Sequence, residues 1–589
     1  MCDSVPRGVP TEGTAVASHS QELGSADAGV VPVPTATAAA LSPLDLPWRE
    51  RLRASLLGPP PGEEVTPHPI DPHLEASIPG FFARYGRLAV SAVAGLVGAL
   101  LIVASAPVWY EAAASWRLTV PGIPHPGTSA QALTNFIIGL VLMGLGWIGL
   151  IGRAERAPIS ARARLVSVVV VGVIWCVPVL LGPPLLSHDV YSYASQGEMA
   201  RRGIDPTAQG PNALKRTRWV WQVDPIWRDA PAPYGPVAVE AGKQVVVLTG
   251  ADPASAIWGF RGLAMLGVVM AALGVASIAR SSKQSPAVAL AVGIASPLVL
   301  LHLIGGSHND ALMMGLLALG VAAFQRKHRW LGLALVVLAT GAKVTGAAGL
   351  VFLAWNWYDD PDTPLWPRIR ATIAVGVGSI ATLSIMSVLA GISVGWIGAL
   401  KSTGSITSTF SVSTKLGFLT ASALQAVGLS VSSNLTVALF RLAGIALAGG
   451  ICLVLLLRSP RLGVPRALGM SMIAVVLLSP VVWPWYLAAG FALVAASGMG
   501  KWRPTYVVLI VAASAVVFPT SISPVKSLNP YQHALTMAVV VLIAAACWGA
   551  QRLAAWLAER READRLADEL SGSARFPASP AAAEPVGVG

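Results

Sequence analysis

The side chains able to do chemistry are concentrated between Leu185 and Pro236. This stretch begins Ser187-His188-Asp189-Val190-Tyr191-Ser192-Tyr193 and ends Trp227-Arg228-Asp229-Ala230-Pro231-Ala232-Pro233-Tyr234-Gly235-Pro236. Asp189 stands beside His188 and before an amphipathic run, Val190 to Arg202, in which Tyr191, Ser195 and Glu198 recur at helical spacing. A carboxylate fixed at such a place suits a general base, and Ser187 or Asp189 equally suits a helix cap. Downstream lie Trp219, Trp221, Asp224, Trp227, Arg228, Asp229, Tyr234 and Glu240. Indole faces stack on sugar C–H groups and carboxylates accept from sugar hydroxyls, so the cluster fits a carbohydrate cleft. For each Trp taken singly, an interfacial aromatic belt is the competing account. Pro231, Pro233 and Pro236 stiffen the loop around Tyr234.

The rest of the chain is membrane. Of its 589 residues 54% are hydrophobic and 12% charged, far from the balance of a soluble domain. The net charge of +12 comes from short Lys/Arg clusters between apolar runs, the pattern of cytoplasmic loops and not of a nucleic-acid surface. Cys2, Cys176, Cys452 and Cys547 are scattered and give neither a disulfide framework nor a metal spacing.

Apolar runs able to span a hydrocarbon core of about 30 Å occur near 86–106, 133–151, 165–184, 257–279, 286–304, 309–325, 371–390, 435–457, 467–482, 485–500, 504–519 and 532–550. Trp330 to Tyr358 is too long for one ordinary crossing and is interrupted by Lys343. Charge parity resolves it. With the N-terminus inside, the basic loops Arg153–Arg164, Arg280–Lys283 and Arg326–Arg329 are cytoplasmic. Arg368, Arg370, Arg458–Arg466, Lys501 and Arg503 join them only if Trp330–Tyr358 crosses twice, as two short helices meeting at Lys343. The expected fold is an all-α polytopic bundle of about fourteen transmembrane helices with both termini cytoplasmic. Its external loops are 107–132, 185–256, 305–308, 391–434 and 520–531. Residues 1–82 form a disordered cytoplasmic tail, 83–551 the transmembrane domain, and 552–589 a charged cytoplasmic helix and tail.

Three further features reach the external face: Ser307-His308-Asn309-Asp310, Lys343 at the apex of its helix pair, and Trp483-Pro484-Trp485-Tyr486. Asn309 or Asp310 suits a cap and Lys343 suits snorkelling; a charge in an apolar run also calls for a partner, such as a lipid phosphate at the same depth. Lys401, Lys415 and the segment Ser402–Thr414 suit either a mobile loop over the site or a solvated linker. No P-loop or Rossmann fingerprint is present, and no cytosolic region is large enough for a nucleotide sugar. The substrate must therefore arrive activated in the membrane, most simply as a sugar on a lipid phosphate.

The segments SHDVYSYASQGEMARRGIDP, IWRDAPAPYGPV, GGSHNDALMMGLL and LATGAKVTG resemble the polyprenyl-phosphomannose-dependent α-1,6-mannosyltransferases of actinobacteria, in the GT-C glycosyltransferase superfamily. The first two motifs are specific to that family, the last two common to many GT-C enzymes, and the resemblance covers roughly Ala83 to Gln551. It implies inverting transfer of mannose from a β-linked polyprenyl phosphate to the α-1,6-mannan core of lipomannan and lipoarabinomannan, at the external face of the plasma membrane. The family's base maps onto Asp189, although in many relatives that Asp follows the first crossing and here it follows the third. Lys343, His308 and Arg228 are the candidates for the donor phosphate. His188, Tyr191, Tyr193, Trp227, Asp229, Tyr234, Asn309 and Asp310 are the candidates for substrate contact. The partners implied are the polyprenyl-phosphate-mannose donor, a mannan glycolipid acceptor and membrane lipid; no cofactor and no metal site is expected. A GT-C transferase of another lipid-linked sugar and a flippase of cell-wall precursors are the alternatives.

Overall fold

A computed structural model of the chain describes residues 81–109, 127–157, 159–404, 410–515 and 530–573. The regular elements among them are all helical, as expected of a polytopic membrane protein. Residues 1–80 of the expected N-terminal tail, 574–589 of the expected C-terminal one, and most of loops 107–132 and 520–531 lie outside the described residues.

Three helices open the bundle: α1 (Phe81–Trp109), α2 (Ser129–Arg156) and α3 (Ala161–Leu181). An outer layer follows, with α4 (Asp189–Arg201), several short turns and α5 (Pro236–Leu248). The chain then re-enters through α6 (Pro253–Ser281), α7 (Pro286–Gly293) and α8 (Asp310–Gln325). Next come α9 (Arg329–Ala342), α10 (Ala347–Trp355), α11 (Leu365–Leu389), α12 (Trp396–Gly404) and α13 (Val412–Ala426). The last five are α14 (Ser433–Leu462), α15 (Val464–Leu478), α16 (Ala488–Ser497), α17 (Arg503–Ala515) and α18 (Pro530–Ser573).

Among the described residues 7 helices are long and apolar enough to cross a bilayer, and shorter apolar helices of 10–17 residues accompany them. Two expected crossings look different from plain spans. Residues 286–304 break after α7, where Pro297 offers no backbone N–H, and resume as a π-helical turn over Val299–Gly305. The expected crossing 504–519 is described only to Ala515. At the C-terminal end α18 is one helix of 44 residues, carrying the apolar run straight into the charged one. At 1.5 Å per residue it is about 66 Å long, far more than a bilayer core.

Lys343 breaks the long apolar segment where expected. It is extended (φ −153°, ψ 133°) between α9 and a 3-10 turn. The two helices fold back on each other, since a Cβ on Gly349 would lie 2.7 Å from the Val336 side chain and one on Gly346 would lie 2.8 Å from the backbone of Ala339 and Thr340. At the far end of the hairpin Arg329 donates to the carbonyl of Trp357.

Loops assigned to one side by charge bond to one another. Arg503 pairs with Glu155, Lys327 and Arg329 with Asp359, and Arg461 with Asp362. The opposite end has its own ties: Leu185 N–H to Gly305 O at 2.9 Å, and Ser393 N–H to Asp205 Oδ2 at 2.9 Å. The 411–415 stretch, for which a solvated linker was one expectation, is packed instead: Thr414 and Lys415 are fully buried, and Arg441 Nε donates to Thr414 Oγ1 at 3.0 Å.

Small residues let α6 and α8 touch backbone to backbone. A Cβ on Gly274 would lie 2.5 Å from the Ala318 carbonyl carbon, and one on Gly315 would strike the Gly267 carbonyl. Gly274→Val should therefore lower stability by about 1–3 kcal/mol, the usual result of overpacking. A thermal unfolding midpoint in detergent equal to that of the parent would contradict this packing.

Candidate active site

Two turns deliver the site. Arg261 of α6, itself buried, donates to the carbonyls of Leu180 (2.6 Å) and Gly182 and holds the end of α3. Leu186 and Ser307 then take left-handed backbone conformations, φ 61° and 54°, which L-residues adopt only at some cost. The first turn starts α4 at Asp189, whose N–H donates to Ser187 Oγ at 3.1 Å. His188, the N-cap residue, makes no side-chain capping bond, and the Asp189 carboxylate is on the wall of a cavity of about 270 Å³. The second turn brings His308 beside it, with Nδ1 3.6 Å from Asp189 Oδ2 and 3.2 Å from the Tyr193 hydroxyl. Tyr193 also reaches Asp189 Oδ2, at 3.4 Å. His308 is held flat against Trp485 (3.9 Å, 18°), which stacks on Trp483 (5.2 Å, 7°).

The hairpin apex supplies the cation. Lys343 Nζ lies 2.7 Å from Asp310 Oδ2 and 4.0 Å from the centre of the Tyr486 ring. The outer layer reaches this apex because Gly235 lies flat on Gly341: a Cβ on Gly235 would sit 2.5 Å from the Gly341 oxygen. That contact places Tyr234, edge-on to Tyr193 at 5.5 Å, at the cavity.

Of the residues singled out in the sequence, the cavity gathers Asp189, Tyr193, Trp227, Tyr234, Lys343, Trp483 and Tyr486. His308 stands behind Asp189, and Asp310 lines a neighbouring groove. Five more candidates are not on the wall either. Arg228 donates to the carbonyls of Val223 (2.9 Å) and Trp221 (3.1 Å) and so shapes its loop. Asp229 accepts from Asn212 at 2.6 Å, tying the same loop. Tyr191 is buried in the core of the outer layer, His188 meets it edge-on at 5.8 Å, and Asn309 is at the N-terminus of α8. The helical stripe Tyr191, Ser195 and Glu198 is the structural face of α4: Ser195 Oγ donates to Tyr191 O at 2.9 Å, and Glu198 is clasped by Arg201 and Arg202.

The opposite face meets the cavity, and it adds two residues to those singled out in the sequence. Ser192 and Gln196 line the cavity with Asp189 and Tyr193, all at steps of three or four along α4. Counting from Asp189 rather than from Tyr191 would have found them. Ser192 Oγ is buried without a hydrogen-bond partner.

Burial raises the Asp189 carboxyl to about 6, against the lowering pull of the Lys343 ammonium. Burial likewise lifts Tyr193 and Tyr234 well above the ordinary phenol value, so both are neutral hydrogen-bond donors. The cavity therefore offers one base that titrates close to neutrality, aromatic faces and hydroxyls. Among the described residues, no three His, Cys, Asp or Glu side chains are grouped so as to hold a metal ion.

A helical membrane bundle with one such carboxylate in an aromatic cavity fits a membrane-embedded glycosyltransferase, and residues 244–484 match Glycosyltransferase family 87. Residues 92–359 match the N-terminal domain of alpha-(1->6)-mannopyranosyltransferase, and residues 413–558 the MptB C-terminal domain. The chain is 30% identical over 372 residues to alpha-(1->6)-mannopyranosyltransferase A of Mycobacterium tuberculosis, covering 61% of this chain and 69% of that one. It is 29% identical over 447 residues to alpha-(1->6)-mannopyranosyltransferase B of Corynebacterium glutamicum, covering 68% and 72%. The chain is a glycosyltransferase and belongs to the alpha-(1->6)-mannopyranosyltransferase family.

The Lys343–Asp310 pair sets a condition on any test of the cation. Lys343→Met leaves a buried carboxylate unpaired, which typically costs 3–5 kcal/mol or so, whereas removing both charges is far milder. Thermal unfolding should show Lys343→Met as the less stable variant and Lys343→Met with Asp310→Asn as partly restored. Equal midpoints for the two would mean that the pair does not hold the apex.

Proposed function

We propose that this chain transfers mannose, with inversion, from a polyprenyl phosphate to the 6-hydroxyl of an α-1,6-mannan acceptor. The carrying observation is Asp189, a single carboxylate turned into an aromatic cavity that also holds Lys343. In this reading Asp189 accepts the proton of the acceptor hydroxyl as its oxygen attacks the anomeric carbon. The bond from that carbon to the phosphate oxygen breaks, and the lipid phosphate leaves with the electron pair. Tyr193 and His308 orient the base. Lys343 stabilises the departing phosphate: an ammonium has three N–H donors, and Asp310 takes one. Trp227, Tyr234 and Trp483 provide faces for the sugars. The names of the relatives support the sugar and the linkage, and the resemblance of the motifs supports the lipid phosphate donor and the mannan of lipomannan and lipoarabinomannan as product. Positive loops on the far end of the bundle support an outward-facing cavity with both termini in the cytoplasm.

Asp189→Asn keeps the shape of the side chain and removes the base. Turnover with polyprenyl-phosphate-mannose and a short α-1,6-mannoside should fall by about 10²–10⁴. A base must be ionised to work, so parent kcat/KM should rise with pH through about 6 and level off above it. Near-parent turnover of the Asn variant would return Asp189 to a structural role.

Orientation has its own test. In a variant without native cysteines, Arg216→Cys should react with an impermeant maleimide on whole cells and Ser281→Cys only after lysis; both positions are exposed. The reverse pattern would place the cavity on the cytoplasmic face.

A further inference from the structure

A second cavity, of about 360 Å³, lies between α10, α14 and α15. Its wall is apolar over most of its length, with Ala348, Phe352, Leu456 and Met472 inside it. Val351, Leu453 and Val475 line it too, and they are 38%, 55% and 44% exposed, so the groove opens on the surface that faces lipid. At its inner end the lining changes to Thr345, Tyr486 and Asp310, the partner of Lys343. Val344, Thr345, Val475, Val476 and Tyr486 line both cavities, so groove and site are continuous. Where they meet, Thr345 Oγ1 is buried with no hydrogen-bond partner.

We propose that this groove holds the isoprenoid chain of the donor and that the Thr345 hydroxyl, together with Lys343, receives its phosphate. The assignment rests on the reading of the chain as a lipid-phosphate-dependent transferase. Two lipids must meet in such an enzyme, and position separates them. In an inverting transfer the leaving group and the base lie on opposite sides of the sugar. The groove joins the cavity on the Lys343–Asp310 side, and Asp189 is not part of its lining. Its occupant is therefore the lipid that departs with the phosphate, not the one that carries the acceptor hydroxyl. An orphaned buried hydroxyl beside a cation suits a phosphate oxygen, which restores the hydrogen bond that Thr345 lacks.

The test uses the full chain in phosphatidylcholine vesicles and two donors, mannose phosphate esterified to a short terpene alcohol and to a long polyprenol. Ala348→Phe fills the groove away from the site. It should raise KM for the long donor by about tenfold and leave kcat/KM for the short donor within about twofold. Thr345→Val should weaken both donors alike, because both carry the phosphate. Equal loss with the two donors in Ala348→Phe, or none with either, overturns the groove assignment. A diazirine-bearing polyprenyl phosphate without sugar gives a readout that needs no catalysis. It should crosslink to α14 around Leu453, compete with unlabelled polyprenyl phosphate and resist an excess of phosphatidylglycerol. Displacement by phosphatidylglycerol makes the groove an ordinary lipid site and sinks the proposal. Specific crosslinking in a protein that transfers no mannose would keep the groove and discard the proposed reaction.

Discussion

A buried ammonium in an apolar bundle has to find an anion, and at Lys343 that demand fixes the geometry of the site. By insertion scales an unpaired Lys at such depth costs about 2.5–3.5 kcal/mol. Asp310 answers it at 2.7 Å, which locks the N-terminus of α8 to the apex of the α9–α10 hairpin. The turn before Asp310 carries His308, and His308 stands against Asp189. One ion pair thus relates the Lys343 ammonium to the Asp189 carboxylate of the outer layer. The Tyr486 face over the same ammonium adds the 483–486 segment to the set. The Gly235–Gly341 contact and the stack of His308 on Trp485 hold the same pieces of chain together around the pair.

Much of this was legible in the sequence. The apolar runs and the spacing of the Arg and Lys clusters gave a helical membrane bundle, and Lys343 inside an apolar segment marked a break. Asp189, Tyr193, Trp227 and Tyr234 were readable because acids and tyrosines are few in this chain and these lie in one polar stretch. The structural uses of Arg228 and Asp229 were not readable. An Arg held by two backbone carbonyls and an Asp held by an Asn amide have the same composition as a phosphate and sugar site. In sequence Lys343 points to a lipid phosphate and Asp310 to sugar; their pairing depends on the fold of the chain between them.

Helical phase explains another shortfall. On α4 the residues Tyr191, Ser195 and Glu198 form as regular a stripe as Asp189, Ser192, Tyr193 and Gln196. Periodicity identifies a helix with two faces and does not say which one meets the cavity. The deciding contacts, Ser195 on the backbone of the outer layer and Tyr193 on His308, come from residues 24 and 115 positions away. The π-helical turn before His308 was hidden for a similar reason: apart from His302 its residues, Val299–Gly305, are apolar like those of a crossing.

The order in which the cavity wall appears along the chain has a consequence for synthesis. Asp189 and Tyr234 emerge first, Lys343 follows more than a hundred residues later, and Trp483 and Tyr486 come after two further long helices. A polypeptide being threaded into the bilayer therefore has no enclosed cavity until its last wall has been inserted.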